Sequence, residues 1–314
     1  MLSVIIPAFN EQDNAPAAAS AISRTLDSYN IDYELIFIND GSTDRTWLRL
    51  TQLAASDEKI KAICLSRNFG KEAAIFAGLE AVNGEVCAVM DCDLQHPPKT
   101  LVEMYRIWEN SDVDIVEAKK RSRGEEKKSY GFFARLFYKL INKVSGLDMS
   151  DSSDFKLMDK RAVDALLRMP ERLTFFRAMS SWVGFKTECV YFDVEQRNSG
   201  ESKFKFKGLV KYAVTSITSF TSAPMQIVTA AGAVTFIIAV IMTLDTLYNK
   251  LWGGSAEGFP TVILLQLFTS AIIMLSLGII GYYIAKIYEE IKQRPRYIVS
   301  ERLNLDKNDK DRRK

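Results

Sequence analysis

Two uncharged stretches, 20 residues from Met225 to Leu244 and 27 from Phe259 to Ala285, limit what this chain can fold into more than any other feature. About 20 consecutive apolar residues cross the roughly 30 Å hydrocarbon layer as a helix, and the longer stretch leaves room for tilt. Two spans are therefore expected within 224–287, at about 225–245 and 259–286. Lys203, Lys205, Lys207 and Lys211 precede the first, Lys286, Lys292, Arg294 and Arg296 follow the second, and only Lys250 lies between them. That asymmetry puts both flanks on the cytoplasmic side of the plasma membrane. No signal peptide precedes a strand starting at Leu2, so residues 1–203 are expected in the cytoplasm, with 204–223 a juxtamembrane segment and 288–314 a cytoplasmic tail.

Composition removes several classes of function. The net charge is +2 and no basic stripe interleaved with aromatics occurs before the apolar stretches, which excludes a nucleic-acid binder. One histidine, and four cysteines without a CxxC pair, exclude a Cys/His zinc site and a Ser-His-Asp mechanism. Such cysteines suit a reducing compartment.

Before the spans the chain repeats strand, polar turn and helix. Leu2–Pro7, Tyr33–Ile38, Lys61–Leu65 and Val86–Met90 read as strands, with helices running to Tyr29, over Arg45–Ser56 and over Ala73–Val82. Such a repeat predicts an α/β fold with a parallel sheet and right-handed crossovers. Every strand ends in polar residues: Asn10/Glu11, Asp40, Arg67/Lys71, then Asp91, Asp93 and Gln95. Open sheets of this kind bind ligands at the carboxyl ends of their strands. Asp-x-Asp recurs at Asp112/Asp114 and Asp309/Asp311, so the motif alone decides nothing. At a strand end, closed by Pro97 and Pro98, Asp91, Asp93 and Gln95 make a hard-oxygen set suited to Mg²⁺ or Mn²⁺ on a diphosphate.

Further along, Asp114–Ala118 reads as a strand followed by a basic loop from Lys119 to Arg123. Phe132, Phe133, Leu136, Phe137, Leu140, Ile141 and Val144 then share one face of a helix expected in the membrane interface. Asp151–Asp159 reads as a loop, Arg161–Arg168 and Thr174–Trp182 as helices, Thr187–Asp193 as a strand, and Glu301–Lys314 as a charged tail without structure.

Val4–Glu11, Phe37–Asp44, Leu65–Glu72, Asp91–Pro98, Asp154–Asp159 and Arg197-x-x-Gly200-x-Ser202-Lys203, in this order and ahead of two spans, resemble the family 2 glycosyltransferases. Among these the likeness is to the polyprenyl-phosphate sugar transferases (bactoprenol or dolichol phosphate). The resemblance implies a GT-A (Rossmann-like), mostly parallel sheet domain followed by two transmembrane helices. It also implies inverting transfer from a nucleotide sugar to polyprenyl phosphate at the bilayer. UDP-glucose is the first choice of donor, ahead of UDP-N-acetylglucosamine and GDP-mannose.

By the same resemblance Pro7, Phe9, Glu11 and Asp40 hold the nucleoside. Asp91 is the nucleotide-side carboxylate, Asp93 and Gln95 bind the metal, and Lys71, Arg197 and Lys203 belong to the substrate site. Lys120, Arg121 or Arg123 meets the acceptor phosphate, and Lys128 stands where relatives often carry arginine. Asp154 is a catalytic base or an orienting carboxylate, and His96 replaces a residue often acidic. Homo-oligomerisation is left open. The rivals are a processive polysaccharide synthase, whose Gln-x-x-Arg-Trp motif is absent, and an inactive membrane scaffold.

Overall fold

A computed structural model describes residues 1–120, 153–169, 176–193, 223–252 and 259–305. The expected interfacial helix at 132–144 and the stretch 204–221 lie outside the described residues, as do Arg121, Arg123, Lys128, Arg197 and Lys203.

The described residues divide into two units, Met1–Phe204 with Arg294–Lys314, and Lys205–Gln293. The first holds a mixed sheet built from β1 (Leu2–Ala8), β2 (Tyr33–Asn39), β3 (Ile60–Leu65), β4 (Val86–Val89), β5 (Ile115–Lys120), β6 (Lys156–Asp159), β7 (Thr187–Phe192) and β8 (Val299–Leu303). Their order is β7-β5-β6-β4-β1-β2-β3-β8. As expected, β1 runs parallel to β2 and β4, and β2 to β3. Its neighbours β2 and β4 lie on opposite sides of β1, so the strand order reverses there, which is where open α/β sheets form their ligand crevice.

Helices α1 (Asn14–Ser28), α2 (Thr46–Ser56), α3 (Lys71–Glu80), α4 (Pro98–Asn110), α5 (Lys160–Arg168) and α6 (Phe176–Trp182) complete this unit. The central strands are buried along almost their whole length, β2 and β4 without exception, because helices cover both faces of such a sheet. α3 packs on β1 and β2 at close range: a Cβ on Gly78 would lie 2.3 Å from the Ile5 side chain.

Four local expectations change. Lys156–Asp159, expected as loop, is the antiparallel strand β6 between β4 and β5. Its first residue, Lys156, is 1% exposed. A lysine reads as surface, but here Glu117 pairs with it at 3.3 Å and Ser180 Oγ accepts from it at 2.8 Å, which offsets its burial. The loop expected to start at Lys119 starts later, because Lys119 and Lys120 finish β5 opposite Tyr191 and Phe192. Pro98–Asn110, which received no assignment from sequence, is a helix with Pro in its first turn, a position that needs no backbone N–H. The tail is not structureless from Glu301 onward: β8 pairs antiparallel with β3.

β8 is fastened beyond its ladder. Ser66 N donates to Ile298 O at 2.8 Å, Trp47 Nε1 to Glu301 Oε2 at 3.2 Å, and Arg296 Nη2 to Met169 O at 2.6 Å. The Arg296 guanidinium also stacks 4.5 Å from the centre of the Phe76 ring. Asn304, with φ of 55°, donates its amide to Ala54 O at 2.6 Å and Ile60 O at 2.9 Å, tying α2 to β3.

The second unit contains α7 (Ala223–Trp252) and α8 (Phe259–Ile291). Phe268–Ile291 is long and apolar enough to cross a membrane. The apolar part of α7, Val228–Met242, is shorter, so only one of the two expected spans meets that criterion by length among the described residues.

Replacing Asn304 with alanine leaves the carbonyls of Ala54, Asp57 and Ile60 without their side-chain donor and is expected to cost about 1–3 kcal/mol. Thermal unfolding of the purified protein checks this, and an unchanged midpoint counts against β8 as part of the fold.

Candidate active site

The carboxyl ends of β1, β2, β3 and β4 are tied together by polar side chains. Asn10, with φ of 56°, donates its N–H to Ser42 Oγ at 2.9 Å and accepts from Thr43 N at 2.8 Å, joining the turn after β1 to the turn after β2. Glu11 N donates to Thr46 Oγ1 at 2.9 Å, and the Glu11 carboxylate takes the Asn14 amide at 2.6 Å. Pro7 lies opposite Ile38, one residue before the end of β1, and Phe9 leaves 37% of its surface open.

Asp40 is buried, and burial raises its pKa against the opposing bonds from Phe69 and Gly70. Its two oxygens accept from Phe69 N at 2.7 Å and Gly70 N at 2.9 Å, so it shapes the loop that delivers Lys71. Gly41 lies against that loop with φ of 63°, and any Cβ there would sit 2.3 Å from the Arg67 carbonyl carbon.

Lys71 opens α3 with its ammonium between two carboxylates, 2.5 Å from Asp91 Oδ1 and 2.7 Å from Asp154 Oδ2. Burial works against its charge, yet Asp91 and Asp154 outweigh that and push its pKa above the usual lysine value. Asp91 is held low in the same way, burial being overcome by Lys71 and then by His96. Asp154 also takes Arg177 with both oxygens, Nε at 2.6 Å and Nη2 at 3.0 Å. Burial alone would raise it, but Lys71 and Arg177 hold it far below the usual carboxylate range. Glu72 accepts from Phe176 N at 2.8 Å, and burial together with the Asp154 charge raises its pKa to about 7.

Asp93 and Gln95 occupy the turn beyond β4, where Gln95 N donates to Asp93 Oδ1 at 3.1 Å. Leu94 between them has φ of 58°, a conformation costing a non-glycine residue on the order of 1–3 kcal/mol and concentrated at functional sites. Packing of Leu94 on the core holds it there. Cys92 is buried, and burial, followed by the charges of Glu11, Asp93 and Asp91, raises its thiol pKa. His96 is buried, stacked 4.7 Å from Phe155, and its Nδ1 accepts from Asp91 N at 3.4 Å, so it supports the turn from behind.

Among the described residues no three His, Cys, Asp or Glu side chains converge as a metal cage. Asp93 and Gln95, both partly exposed, are oxygen donors of the kind that suit an ion such as Mg²⁺, which keeps waters and takes only one or two carboxylates beside a substrate phosphate.

The structure thus joins Lys71, Asp91 and Asp154 directly, and uses Asp40 to shape the Lys71 loop. Lys120 ends β5, three strands away from β1. Sequence reasoning missed Arg177 altogether and gave Glu72 no role. Glu72 stood inside a motif and could have been weighed, whereas nothing in Phe176-Arg177-Ala178 marks a partner for Asp154.

Glu72 sets a pH dependence. A carboxyl whose pKa is higher folded than unfolded binds more protons in the folded state, so stability falls as pH rises from about 4.5 to about 7. Glu72→Gln retains an acceptor for Phe176 N and removes the titration. Melting temperatures of the two proteins are expected to diverge across that window, the wild type losing ground as pH rises; parallel curves refute the assignment.

The profile of the family described as Glycosyl transferase family 2 matches residues 3–167. A Bacillus subtilis protein, CsbB, whose name places it only among glycosyltransferases, is 37% identical over 96% of this chain and 92% of its own. The prophage bactoprenol glucosyl transferase homolog of Escherichia coli is 35% identical over 95% of this chain and 98% of its own. The bactoprenol glucosyl transferase of Shigella phage SfII is 33% identical over 95% and 97%. The crystal structure of glucosyl-3-phosphoglycerate synthase from Mycobacterium tuberculosis with UDP has a TM-score of 0.50 at 18% identity, covering 70% of this chain and 79% of that one, a likeness of fold. With the family profile spanning more than half of the chain and relatives 33–37% identical along nearly all of it, the protein belongs to glycosyltransferase family 2.

Proposed function

We propose that the protein transfers glucose from UDP-glucose to a polyprenyl phosphate at the cytoplasmic face of the plasma membrane, yielding a lipid-linked sugar. The observation that carries this is the match to bactoprenol glucosyl transferases along the whole chain, the apolar helices included. The acceptor oxygen attacks the anomeric carbon as the bond from that carbon to the diphosphate breaks, and the nucleoside diphosphate leaves with the electron pair, inverting the centre. A phosphate monoester has its second pKa near 6, so the acceptor is largely a dianion at neutral pH and needs placement rather than deprotonation.

Pro7, Phe9 and Glu11 bound the nucleoside end of the crevice, with Asp40 fixing the loop beside it. Asp93 and Gln95 would hold a divalent cation, Mg²⁺ or Mn²⁺, which would offset charge developing on the departing diphosphate. Lys71 keeps Asp91 in place beside them. Arg197 and Lys203 are assigned to the phosphates, and Lys120, Arg121 and Lys128 to the acceptor side.

Chain connectivity supports two membrane crossings. The chain leaves the catalytic unit at Phe204 and re-enters it at Arg294, with β8 paired to β3. A strand cannot complete a ladder across a bilayer, so if Phe268–Ile291 crosses, the segment before it crosses as well. α7 has 30 residues, about 45 Å of helix at about 1.5 Å per residue, enough for the roughly 30 Å layer.

Purified full-length protein incubated with undecaprenyl phosphate, Mg²⁺ and a panel of labelled UDP-glucose, UDP-N-acetylglucosamine and GDP-mannose is expected to produce labelled glucosyl lipid. Chelator and Asp93→Ala are each expected to lower the rate by about 100-fold or more. Label in long polymer, or in no lipid from any donor, sinks the proposal. For topology, Ser255→Cys is expected to react with an impermeant maleimide on intact cells and Asn308→Cys only after permeabilisation. Equal protection of both positions removes the second crossing.

A further inference from the structure

Asp91, Lys71, Asp154 and Arg177 come from four separate places in the chain and stand in alternating sign within hydrogen-bond distance of one another. Lys71 bridges Asp91 at 2.5 Å and Asp154 at 2.7 Å, and Arg177 grips Asp154 at 2.6 and 3.0 Å. Asp154 is 6% exposed and has a cationic donor on each oxygen. A carboxylate so held is a poor proton acceptor, since protonating it would leave Lys71 and Arg177 facing a neutral group. We propose that Arg177 is a positioning residue that keeps Asp154 ionised as the anchor of Lys71, so that Asp154 fixes the donor-side charge instead of acting as a base. The proposal deepens the glycosyltransfer assignment above and rests on it for its kinetic test.

The charge count gives the reason. Two carboxylates and two cations sum to zero, which leaves the crevice able to accept a diphosphate. Without Arg177 the group carries one net negative charge, and Glu72, which faces Lys71, Asp154 and Arg177, adds to it when ionised. Glu72 also holds Phe176 N at 2.8 Å, so the first turn of α3 grips α6 through the residue next to Arg177 as well. Lys156, two residues beyond Asp154, is committed to Glu117 and Ser180. Replacement of Arg177 by Lys156 is therefore blocked.

The test is a double-mutant cycle in the full-length protein with Arg177→Ala, Asp154→Asn and the pair, plus Arg177→Lys. Arg177→Ala is expected to raise the donor KM by about 10-fold or more and to add an acidic limb to the kcat–pH profile, as Asp154 begins to titrate. Arg177→Lys is expected to restore most of both. The double variant is expected to be no worse than Asp154→Asn alone, because residues acting through one contact are not additive. Multiplicative losses, or an unchanged pH profile in Arg177→Ala, overturn the proposal. So does a fall in kcat with Asp154→Asn at unchanged donor KM, which would mark a base.

An arm independent of transfer reads thermal unfolding against pH. A depressed carboxylate contributes stability above its unfolded pKa that is lost as pH falls through its folded pKa. Arg177→Ala is therefore expected to lose stability at higher pH on acidification than the wild type, and this difference should vanish in the Asp154→Asn background. If no donor gives lipid-linked sugar, the functional assignment fails while this arm still decides whether Arg177 acts through Asp154.

Discussion

The ion-paired row Asp91–Lys71–Asp154–Arg177 is the interaction on which the rest of the site depends. It ties the end of β4, the start of α3, the entry to β6 and the first turn of α6 at one point. Asp154 is the buried member, so removing either of its cations leaves a desolvated carboxylate short of compensation, while Lys71, Asp91 and Arg177 keep part of their surface in water. The geometry is therefore specified as a unit. Gly70 and Asp40 set the turn that presents Lys71, β6 presents Asp154, and Glu72 holds the α6 backbone next to Arg177.

Sheet order makes that meeting possible. A fully parallel continuation after β4 would have carried the chain to a neighbouring position by another crossover helix. Antiparallel β6, inserted directly beside β4, instead brings residues about 60 positions downstream of Asp91 against the same strand end. Lys156 opposite Glu117 is the register mark of that insertion, since a slip by one residue would turn a charged side chain into the apolar layer without its partner. On the far edge, β8 closes the sheet with residues that follow the apolar helices, so the catalytic unit is assembled from both sides of that excursion.

A phosphate acceptor changes what the protein must supply. A sugar hydroxyl needs a base; a phosphate dianion needs a neutralised, well-shaped crevice, and a row of alternating charge is suited to that. The left-handed Leu94 fits the same demand, for it sits in a turn whose Asp93 and Gln95 are partly exposed while Cys92 is buried.

Periodicity and turn chemistry were enough to read the strand–helix alternation of the first ninety or so residues, the polar strand ends and the apolar helices, because each depends on neighbours in sequence. Motif order was enough for the family. The antiparallel strand β6, the pairing of β8 and the role of Arg177 were not legible, and for one reason. Lys156 looks like surface until Glu117 lies opposite, Glu301 and Arg302 look like tail until β3 offers an open edge, and Arg177 meets Asp154 from 23 positions further along the chain. The sequence by itself determined which segments are strands in a parallel core, where the polar turns fall and which helices are apolar. Only tertiary structure decided which charges meet, because that energy comes from partners about 20 to 80 residues apart and exists only once the sheet order has brought them within hydrogen-bond reach.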